Sequence, residues 1–503
     1  MESLNAAAKK IAKGAGITFV GKVASTGLKY LTQVTLAQLL GAELFGIYTL
    51  GFVIYQFGEL FARMGLENGA VRYVSIHHGA GDTRKLKGVL LQAVGLSFVS
   101  GLVLGTVLFL ASEPIAKSIF GKPGLVPALQ LFAIALPFGA SMIVGAFATT
   151  GFQVTVYLVY IWELLLPFTN LLLAALLCTL GFGLWGTTIA WVIAVIVALA
   201  ATLYFIRRLF PAIGNRNIKP IFEGKQLLTF SLPLAFGAFL WLVMIWTDIL
   251  MLGYFRSATE VGIYRAASQT AFLMTIFSAS LNSIFAPIIA DLHHRKAIEK
   301  MGQIFQATTR WSLSLSVPLF LVVTAARQDI LGIFGAEFVI GGLPLVILGI
   351  GQLVRAGTDT ATNTLIMSGH QYTKLFGDIG STIVNIALNV LLIPRWGLMG
   401  AAIATGISIS GVHLWRMLQV KLVLGIQPFN WSYFKIIGAG AIAGLSGFTV
   451  YSWLTPMPSL VSVVVTAGAI VVVYAPLLLA MGLEEADRMI LGEVQKRLGL
   501  LKN

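Results

Sequence analysis

The chain has 503 residues, of which 57% are hydrophobic and only 11% are charged, and its mean hydropathy is +0.88. Soluble domains carry about 25% charged residues, so this composition excludes an ordinary soluble protein and indicates a polytopic membrane protein. The formal net charge of +14 is spread among the apolar segments, which argues against a nucleic-acid-binding domain. Cys178 is the single cysteine, so a disulfide framework is excluded too.

The amino terminus, "MESLNAAAKKIAKGAG" at 1–16, is basic, and no small-residue cleavage site follows a short apolar core. It is predicted to be a cytoplasmic tail rather than a cleaved signal peptide. The stretch at 21–41 is apolar enough to enter a bilayer but contains Lys22 and Lys29. Because seven positions separate the two lysines, both fall on one helical face. Charges this deep in a spanning helix are costly and usually functional, so they are candidate ligands.

Apolar segments long enough to cross a bilayer recur from residue 15 to residue 481. A spanning helix needs about 20 mostly apolar residues. This criterion predicts an all-α membrane protein with about fourteen transmembrane helices, which we number span one to span fourteen in chain order. The spans lie at 15–38, 44–64, 87–111, 126–149, 156–180, 184–206, 226–252, 262–289, 305–325, 339–366, 373–393, 397–423, 433–454 and 458–481.

The distribution of basic residues predicts the orientation of these spans. Lys and Arg collect in the tail and in the even-numbered loops, for example at 72–87, 207–225 and 291–300. Since cytoplasmic loops carry the excess of Lys and Arg, both termini are predicted to be cytoplasmic. After span fourteen, residues 483–503 place apolar side chains at helical spacing among charges. This pattern predicts either an amphipathic helix on the membrane surface or a solvated, partly ordered tail.

Three short motifs occur twice, each pair about 215 residues apart. The pairs are "LLGAELFGIYTL" (39–50) with "MLGYFRSATEVGIYRA" (251–266), "IFG" at 119–121 and 333–335, and "GLWGTTIA" (183–190) with "GLMGAAIA" (397–404). This offset covers six spans, an even number, so both copies keep the same orientation. The repeat predicts two pseudo-symmetric six-helix lobes, 1–210 and 211–425, around a central cavity that opens by alternating access. Two extra helices at 426–482 and the tail at 483–503 complete the predicted architecture.

Four stretches carry a resemblance to a known family. They are "LAQLLGAELFGIYTL" (36–50), "ARMGLENGAVRYVS" (62–75), "DILMLGYFRSATEVGIYRAASQ" (248–269) and "NIALNVLLIPRWGLMGAAIATG" (385–406). Together they resemble the multidrug/oligosaccharidyl-lipid/polysaccharide (MOP) exporter superfamily, and most of all its polysaccharide-biosynthesis flippases of the Wzx type. The drug-exporting MATE branch usually has twelve helices, so the extra pair of helices favours the lipid-linked branch.

The resemblance implies a flippase in a bacterial inner or archaeal cell membrane. Its substrate would be an undecaprenyl- or dolichyl-linked oligosaccharide of the O-antigen or lipopolysaccharide repeat-unit type. Its partners would be membrane lipids and glycan polymerases or glycosyltransferases, and a monomer is expected. The alternatives are a cation-coupled multidrug exporter, a peptidoglycan-precursor flippase and a non-transport scaffold of glycan assembly.

Charged residues inside the spans suggest where an anionic lipid diphosphate would bind. Arg offers a fork of donors to phosphate and Lys offers a point charge. The resemblance to MurJ-like flippases assigns this role to four cations, and depth in the span alone assigns it to Arg355. The five candidate cations are Lys22, Lys29, Arg63, Arg265 and Arg355, and the candidate gating or pairing acids are Glu59, Asp359 and Asp378.

Two alternatives remain open for these charges. Lys22, Arg63 and Arg265 lie near span ends, from which long side chains reach headgroups. Glu59 and Arg63 are four positions apart, a spacing at which they would pair with each other on a helix. Lys29 and Arg355 are the deepest cations, since Lys29 lies about 14 residues, or roughly 20 Å, into its span.

The resemblance also implies a sodium site. The resemblance to MurJ-type relatives implies that this site consists of Asp on span seven, Asn-x-x-x-Asp on span eleven and Thr on span twelve. The matching residues are Asp248, Asn385, Asn389 and Thr405. Asn389 replaces the second acid and removes one charge, so hydrogen bonding between helices is the alternative for the two asparagines.

No motif indicates an enzyme or a bound cofactor. The adjacent pairs His77/His78 and His293/His294 lack the spacing of metal ligands on a helix face, and the sequence has no P-loop. Transport would therefore draw on a sodium or proton gradient, on the membrane potential or on consumption of the substrate on the far side.

Overall fold

The structure, a computed structural model, describes residues 2–427, 432–454 and 457–481. These residues form helices and connecting turns, and this part of the chain contains no β-strand. The predicted all-α architecture is therefore confirmed. The predicted tail helix at 483–503 lies outside the described residues.

The helices coincide with the predicted spans. Spans three, four, six and seven are the helices Thr83–Pro114, Leu125–Thr150, Gly183–Leu209 and Gly224–Phe255. Span five joins Val156–Leu158, the π-helix Val159–Leu165 and Leu166–Thr179, and span eight joins Ala258–Phe272, Leu273–Thr275 and Ile276–His294. Span nine is Ile298–Ala325, span ten is Gly342–Ala356 followed by Thr360–Met367, and spans thirteen and fourteen are Ser432–Trp453 and Ser459–Ala480.

Two long helical stretches each contain two spans. Spans one and two lie in Glu2–Arg63, which breaks at Gly41 with φ 71° and ψ 173°. Spans eleven and twelve lie in Gln371–Leu424, which breaks at Gly397 with φ 53° and ψ −129°. A positive φ is strained for other residues but not for glycine, so each glycine turns the chain between two spans without a loop.

The number of spans agrees with the predicted fourteen. Within the described residues, ten helices are long and apolar enough to cross a membrane, and the bent pair in span eight makes eleven. The breaks at Gly41 and Gly397 each divide one of these helices into two spans. Ile298–Ala325 adds a helix of 28 residues, which is long enough for about 30 Å of hydrocarbon.

The predicted loop between spans two and three contains a helix, Leu66–Gly79. Its buried residues include Leu66, Ala70 and Val74, which are four positions apart and share one face. This face packs with residues of spans three and four in one hydrophobic cluster. The segment therefore forms part of the folded core, although its basic residues indicated a loop.

The contacts within the chain divide it into two compact units, Met1–Arg265 and Ala266–Asn503. The division falls inside span eight. The predicted lobe boundaries at residues 210 and 425 stay predictions.

Inside the first unit, the two copies of a Gly-Ile-Tyr motif, at 46–48 and 262–264, lie against each other. A Cβ atom on Gly46 would lie 1.8 Å from the carbonyl oxygen of Ala258, and one on Gly262 would lie 2.1 Å from the carbonyl oxygen of Ala42. The contact is thus reciprocal between Ala42-x-x-x-Gly46 of span two and Ala258-x-x-x-Gly262 of span eight. Small residues four apart let two membrane helices approach closely, and here the internal repeat supplies both sides of the crossing.

The segment between spans six and seven lies against the start of span three. The buried ammonium group of Lys87 donates hydrogen bonds to the carbonyl oxygens of Asn215 (2.6 Å) and Ile218 (3.1 Å). The backbone N–H of Ile221 donates to the carbonyl oxygen of Arg84 at 3.1 Å. These bonds give partners to three backbone groups of this segment and hold it against the start of span three.

An ionic cluster ends this segment at Glu223, just before span seven. Its two carboxylate oxygens lie 2.9 Å from Nζ of Lys85 and 2.8 Å from Nε2 of His77. The hydrogen bond from Lys85 has the largest effect on Glu223 and holds the pKa of this carboxyl below its ordinary value, against the opposing effect of burial. The cluster thus fastens the start of span seven to the helix Leu66–Gly79 and to span three.

Candidate functional site

Span one presents a polar stripe made of Ser25, Lys29 and Gln33. The three residues are four positions apart, so they share one face of the helix. The side chain of Lys22, one turn before this stripe, lies outside the described residues.

Lys29 is paired with an acid that the sequence did not indicate. Its ammonium nitrogen lies 2.7 Å from Oε2 of Glu163 on span five, and the hydroxyl of Ser25 donates to the same oxygen. The lysine side chain is 44% exposed and that of Glu163 is 20% exposed. The ion pair is therefore accessible and not sealed in the core.

Glu163 owes its position to a local change in helix type. It lies in the π-helix Val159–Leu165, whose wider turns shift side chains relative to a regular α-helix. Such π-segments often occur at functional sites. Periodicity could not reveal it, because the residue lies in an apolar run that is long enough to be a span.

Arg265 on span eight contacts the same stripe one turn further along. Its Nε donates to the side-chain oxygen of Gln33 at 3.4 Å, and its guanidinium carbon lies 4.8 Å from the ring centre of Trp246. A cation at this distance from an indole ring is attracted to it electrostatically. The predicted pair Lys29 and Arg265 is thus brought to one face of span one within the first unit.

Asp248 lies beside this group on span seven. The hydroxyl of Tyr264 donates to its Oδ2, and the backbone N–H of Ile249 donates to its Oδ1 at 2.8 Å. Tyr264 directly precedes Arg265 in span eight. The carboxylate is therefore held in place next to the cation-bearing turn.

The charges of span two are engaged locally. Glu59 accepts a hydrogen bond from Tyr55 at 2.8 Å. Arg63 forms an ion pair with Glu67 at 3.6 Å rather than the one with Glu59 that its spacing suggested. The side chains of Arg63 and Glu67 are only 17% and 8% exposed. The role of Arg63 as a phosphate ligand stays a prediction.

In the second unit, span ten breaks between two predicted residues. The helix Gly342–Ala356 ends just after Arg355, and the helix Thr360–Met367 starts just after Asp359. Nε of Arg355 lies 3.9 Å from Oδ1 of Asp359, which makes the two a loose ion pair. Arg355 also lies 5.9 Å from the ring centre of Phe272.

The carboxylate of Asp378 accepts hydrogen bonds from two basic side chains. Lys374 donates to its Oδ2 at 2.5 Å, and Arg416 of span twelve donates to its Oδ1. Arg416 also donates to the hydroxyl of Thr362 at 3.1 Å. The role of Asp378 as a gating or pairing acid stays a prediction. Sequence reasoning missed Arg416, and the neighbouring His413, because both lie near the end of an apolar span.

The four predicted sodium ligands divide between the units. Asp248 belongs to the first, and its two oxygens accept the bonds described above. Asn385, Asn389 and Thr405 belong to the second, where Asn389 donates to Asn385 at 3.0 Å. The buried Oδ1 of Asn389 has no hydrogen-bond partner within the described residues, and oxygen donors of this kind suit a small hard cation. The sodium site stays a prediction.

The sequence model described as "Polysaccharide biosynthesis protein" matches residues 11–293, which is more than half of the chain. The chain belongs to this family. A second model of the MOP superfamily, MatE, matches residues 233–391. The resemblance read from the four stretches is thereby confirmed.

Several curated relatives are named as flippases or transport proteins. The probable flippase AglR of Haloferax volcanii is 29% identical over 49% of this chain and 53% of its own length. The probable low-salt glycan biosynthesis flippase Agl15 of the same organism is 25% identical over 33% of this chain and 35% of its own. The succinoglycan biosynthesis transport protein ExoT of Rhizobium meliloti is 21% identical over 87% of this chain and 83% of its own. The chain thus spans only about a third to a half of the two Haloferax relatives it matches.

Solved structures share the fold. The lipid II flippase MurJ in an inward closed conformation has a TM-score of 0.72 at 15% identity and covers 92% of this chain and 97% of its own. An inward-facing multidrug resistance MATE family transporter of the MOP superfamily has a TM-score of 0.65 at 17% identity, over 80% of this chain and 94% of its own. At these identities the likeness concerns the fold alone. The chain is therefore a multi-span membrane protein with the MOP fold.

Proposed function

We propose that this protein is a flippase that moves a polyprenyl-diphosphate-linked oligosaccharide from the cytoplasmic to the outer leaflet by alternating access. The proposal includes a cell-membrane location with cytoplasmic termini, and glycosyltransferases or a glycan polymerase as partners. One observation carries it. The polar stripe of span one contains one predicted phosphate ligand, Lys29, and accepts a hydrogen bond from a second, Arg265, through Gln33.

The geometry of the stripe suits a diphosphate group. Lys29 and Gln33 are one turn apart, which is a rise of about 6 Å along the helix. Lys29 offers a compact charge at one end of this interval, and Arg265 brings a planar donor fork to the other. Two cations at this spacing match two linked phosphates better than a single charge does.

Glu163 adds a reason why the site can release its ligand. In the structure the carboxylate balances the charge of Lys29 at 2.7 Å. An arriving phosphate oxygen takes its place as the acceptor, and the carboxylate takes it back when the lipid leaves. An exposed ion pair is worth only about 0.2–1 kcal/mol, so this exchange is not costly. Moderate binding of this kind favours transport over permanent capture.

The relatives support the same function. The proteins named Agl15 and AglR are described as flippases, and ExoT as a transport protein of succinoglycan biosynthesis. Since these relatives are described as transporters, we include in the proposal that this chain is a transport protein and not an enzyme.

Reconstitution tests the function. The purified protein is placed in liposomes with a fluorescent undecaprenyl-diphosphate-linked trisaccharide, and the fraction that reaches the opposite leaflet is measured by dithionite quenching. We expect rapid exchange of this lipid and none of an uncharged glycolipid with the same sugars. Equal exchange of both lipids, or exchange no faster than in protein-free liposomes, would contradict the proposal.

A cation-coupled drug exporter is the second candidate, because the MatE model matches residues 233–391. In the first unit the ring of Phe52 also contacts those of Trp191 and Trp246, as a site for a flat drug would require. Against it, Arg265 occupies the face of Trp246 and would repel an organic cation. Efflux of ethidium from the same liposomes, without exchange of the diphosphate lipid, would favour this candidate.

A further inference from the structure

The end of span six and the segment that leads to span seven carry a strong positive charge. Residues 207–222 contain no Asp or Glu, and their basic residues, all exposed, are Arg207, Arg208, Arg216 and Lys219. Arg84, in the first turn of span three, is exposed as well. Charge of a single sign over this length attracts anions.

The fold brings four of these cations together. Nε of Arg84 donates a hydrogen bond to the carbonyl oxygen of Lys219 at 3.3 Å. A Cβ atom on Gly214 would lie 3.9 Å from a guanidinium nitrogen of Arg207, and Arg216 follows Gly214 closely in the chain. These four residues surround the segment at 214–219, and we call them the basic cluster: Arg84, Arg207, Arg216 and Lys219.

The acids that neighbour the cluster in the chain are engaged elsewhere. The two carboxylate oxygens of Glu223 face Lys85 and His77. The carboxylate of Asp82 caps span three by accepting hydrogen bonds from backbone N–H groups of its first turn. The buried ammonium group of Lys87 adds a further positive charge beside the cluster, through its bonds to the same segment. The charge of the cluster is therefore not balanced by these acids.

The cluster is fixed in place. A Cβ atom on Gly88 would lie 1.8 Å from the carbonyl oxygen of Ile221, so the segment packs directly on the backbone of span three. The hydrogen bonds from Lys87 hold the same segment. Because the backbone is already ordered, an arriving anion does not have to order a flexible loop, and this lowers the cost of binding.

The cluster lies at the level of lipid headgroups. Arg84 is in the first turn of the helix Thr83–Pro114, and Arg207 is in the last turn of Gly183–Leu209. Both lie just outside the predicted spans at 87–111 and 184–206. Basic residues within a turn of the hydrocarbon attract anionic headgroups.

Two exposed aromatic residues flank the cluster and favour a lipid over a soluble anion. The side chains of Tyr204 and Phe222 are each 60% exposed. Aromatic rings are enriched at the interface between membrane and water, where their apolar part is covered by lipid. A soluble phosphate would neutralise the cluster but would leave the ring of Phe222 uncovered.

We propose that the basic cluster binds the phosphate headgroups of anionic phospholipids such as phosphatidylglycerol, with Phe222 inserted in the interface beside them. In the proposed orientation these lipids belong to the cytoplasmic leaflet. Bound lipids hold the connection between the two repeats at the membrane surface. The inference goes beyond the flippase proposal and does not depend on it.

Site-specific quenching tests the inference. A bimane fluorophore is attached at Phe222→Cys in a Cys178→Ser background, and the protein is placed in phosphatidylcholine liposomes with a small fraction of spin-labelled lipid. We expect spin-labelled phosphatidylglycerol to be enriched at the fluorophore at least about fivefold over spin-labelled phosphatidylcholine, the effect of one Lys or Arg at an anionic surface. The enrichment should decrease in high salt, which screens exposed charges.

The triple variant Arg207→Gln/Arg216→Gln/Lys219→Gln should lower this enrichment below about twofold. These three side chains form no hydrogen bond or ion pair within the part of the chain that the structure describes, so the variant should remain folded. The matched control is Arg295→Gln/Lys296→Gln/Lys300→Gln, which removes the same charge from exposed positions among the acids Asp291 and Glu299. It should leave the enrichment unchanged.

A fluorophore at Leu110→Cys, a 74% exposed position towards the other end of span three, should show no preference between the two lipids. Equal quenching by both lipids at position 222, or an enrichment that the triple variant retains, overturns the inference. Absence of quenching by either lipid at position 222 overturns it too, because the segment would then lie outside the interface and its charge would suit an acidic protein. None of these results depends on transport, so the proposed function is tested separately.

Discussion

The glycines in the two copies of the Gly-Ile-Tyr motif make the same close helix contact, whereas the side chains that follow them make different contacts. Gly46 and Gly262 form one reciprocal crossing of spans two and eight. The tyrosines that follow differ: Tyr48 packs on the rings of Phe52 and Phe132, whereas Tyr264 donates a hydrogen bond to Asp248.

The next residue differs as well. After Tyr48 comes Thr49, whose hydroxyl returns to the carbonyl oxygen of Phe45 at 2.8 Å. After Tyr264 comes Arg265, which reaches the polar stripe of span one through Gln33. The two copies thus share a symmetric helix crossing, and only the second carries a candidate substrate cation.

The largest expected effect comes from breaking what the two copies share. A Cβ at Gly46 or Gly262 meets a backbone oxygen at 1.8 or 2.1 Å, so either alanine variant must force the helices apart. We expect Gly46→Ala and Gly262→Ala to destabilise the protein alike, by about 1–3 kcal/mol or more. Thermal unfolding in detergent measures this. The control Gly95→Ala, on span three with open space around it, should be neutral or slightly stabilising, and an equal loss there would contradict the crossing.

Replacing Arg265 by the residue at the equivalent position of the first copy tests whether this cation binds substrate. Arg265→Thr copies the residue at Thr49 and removes one charge-assisted contact to the substrate, which is worth about 1.5–3 kcal/mol. Affinity for a soluble prenyl diphosphate, measured by calorimetry, should fall by about 10- to 150-fold while the protein remains folded. Arg208→Thr, at an exposed position in the last turn of span six, is the matched control. Undiminished affinity in Arg265→Thr would remove this arginine from the site.

A smaller effect is expected from the counter-ion. Glu163→Gln leaves Lys29 without its 2.7 Å carboxylate partner, and thus removes the group that competes with phosphate. Affinity for the prenyl diphosphate should rise by about 1.4- to fivefold, which corresponds to the 0.2–1 kcal/mol of a partly exposed ion pair. Weaker binding in this variant would mean that Glu163 orients the lysine and does not compete.

The smallest effect concerns the segment fixed at Glu223. Its pKa in the folded state is lowered, chiefly by the hydrogen bond from Lys85, so its stabilising contribution is present above the unfolded value of about 4.3 and is lost as pH falls below it. We expect melting temperatures of the wild type to fall in this acid range, and those of Glu223→Gln to fall less. Identical acid profiles would show that the cluster contributes nothing to stability.

Hydropathy alone predicted where the helices lie. The predicted span 126–149 is the helix Leu125–Thr150, and 184–206 lies within Gly183–Leu209. This success has a physical basis, because a bilayer requires a fixed length of apolar helix with its backbone groups satisfied internally. The helix Leu66–Gly79 was missed because no comparable rule marks a short helix outside the membrane.

The sequence identified charged residues of the candidate site but not the residues that they contact. Charge within apolar runs identified Lys29, Arg265, Arg355 and Asp359, because burying charge requires a reason. Their partners could not be found in the same way. Glu163 is more than one hundred positions from Lys29, and its position depends on a π-helical turn that hydropathy does not register. His413 meets Asp359 only because the break in span ten brings the carboxylate to span twelve.

The most direct test of the account is the flipping rate of Lys29→Ala. In liposomes with the fluorescent undecaprenyl-diphosphate-linked trisaccharide, we predict a rate at least about tenfold below the wild type, from the loss of one charge-assisted contact. Lys29→Arg should retain part of the rate, and Lys300→Ala, at an exposed position in the first turn of Ile298–Ala325, should retain all of it. A folded Lys29→Ala protein that flips the lipid at the wild-type rate would contradict the account.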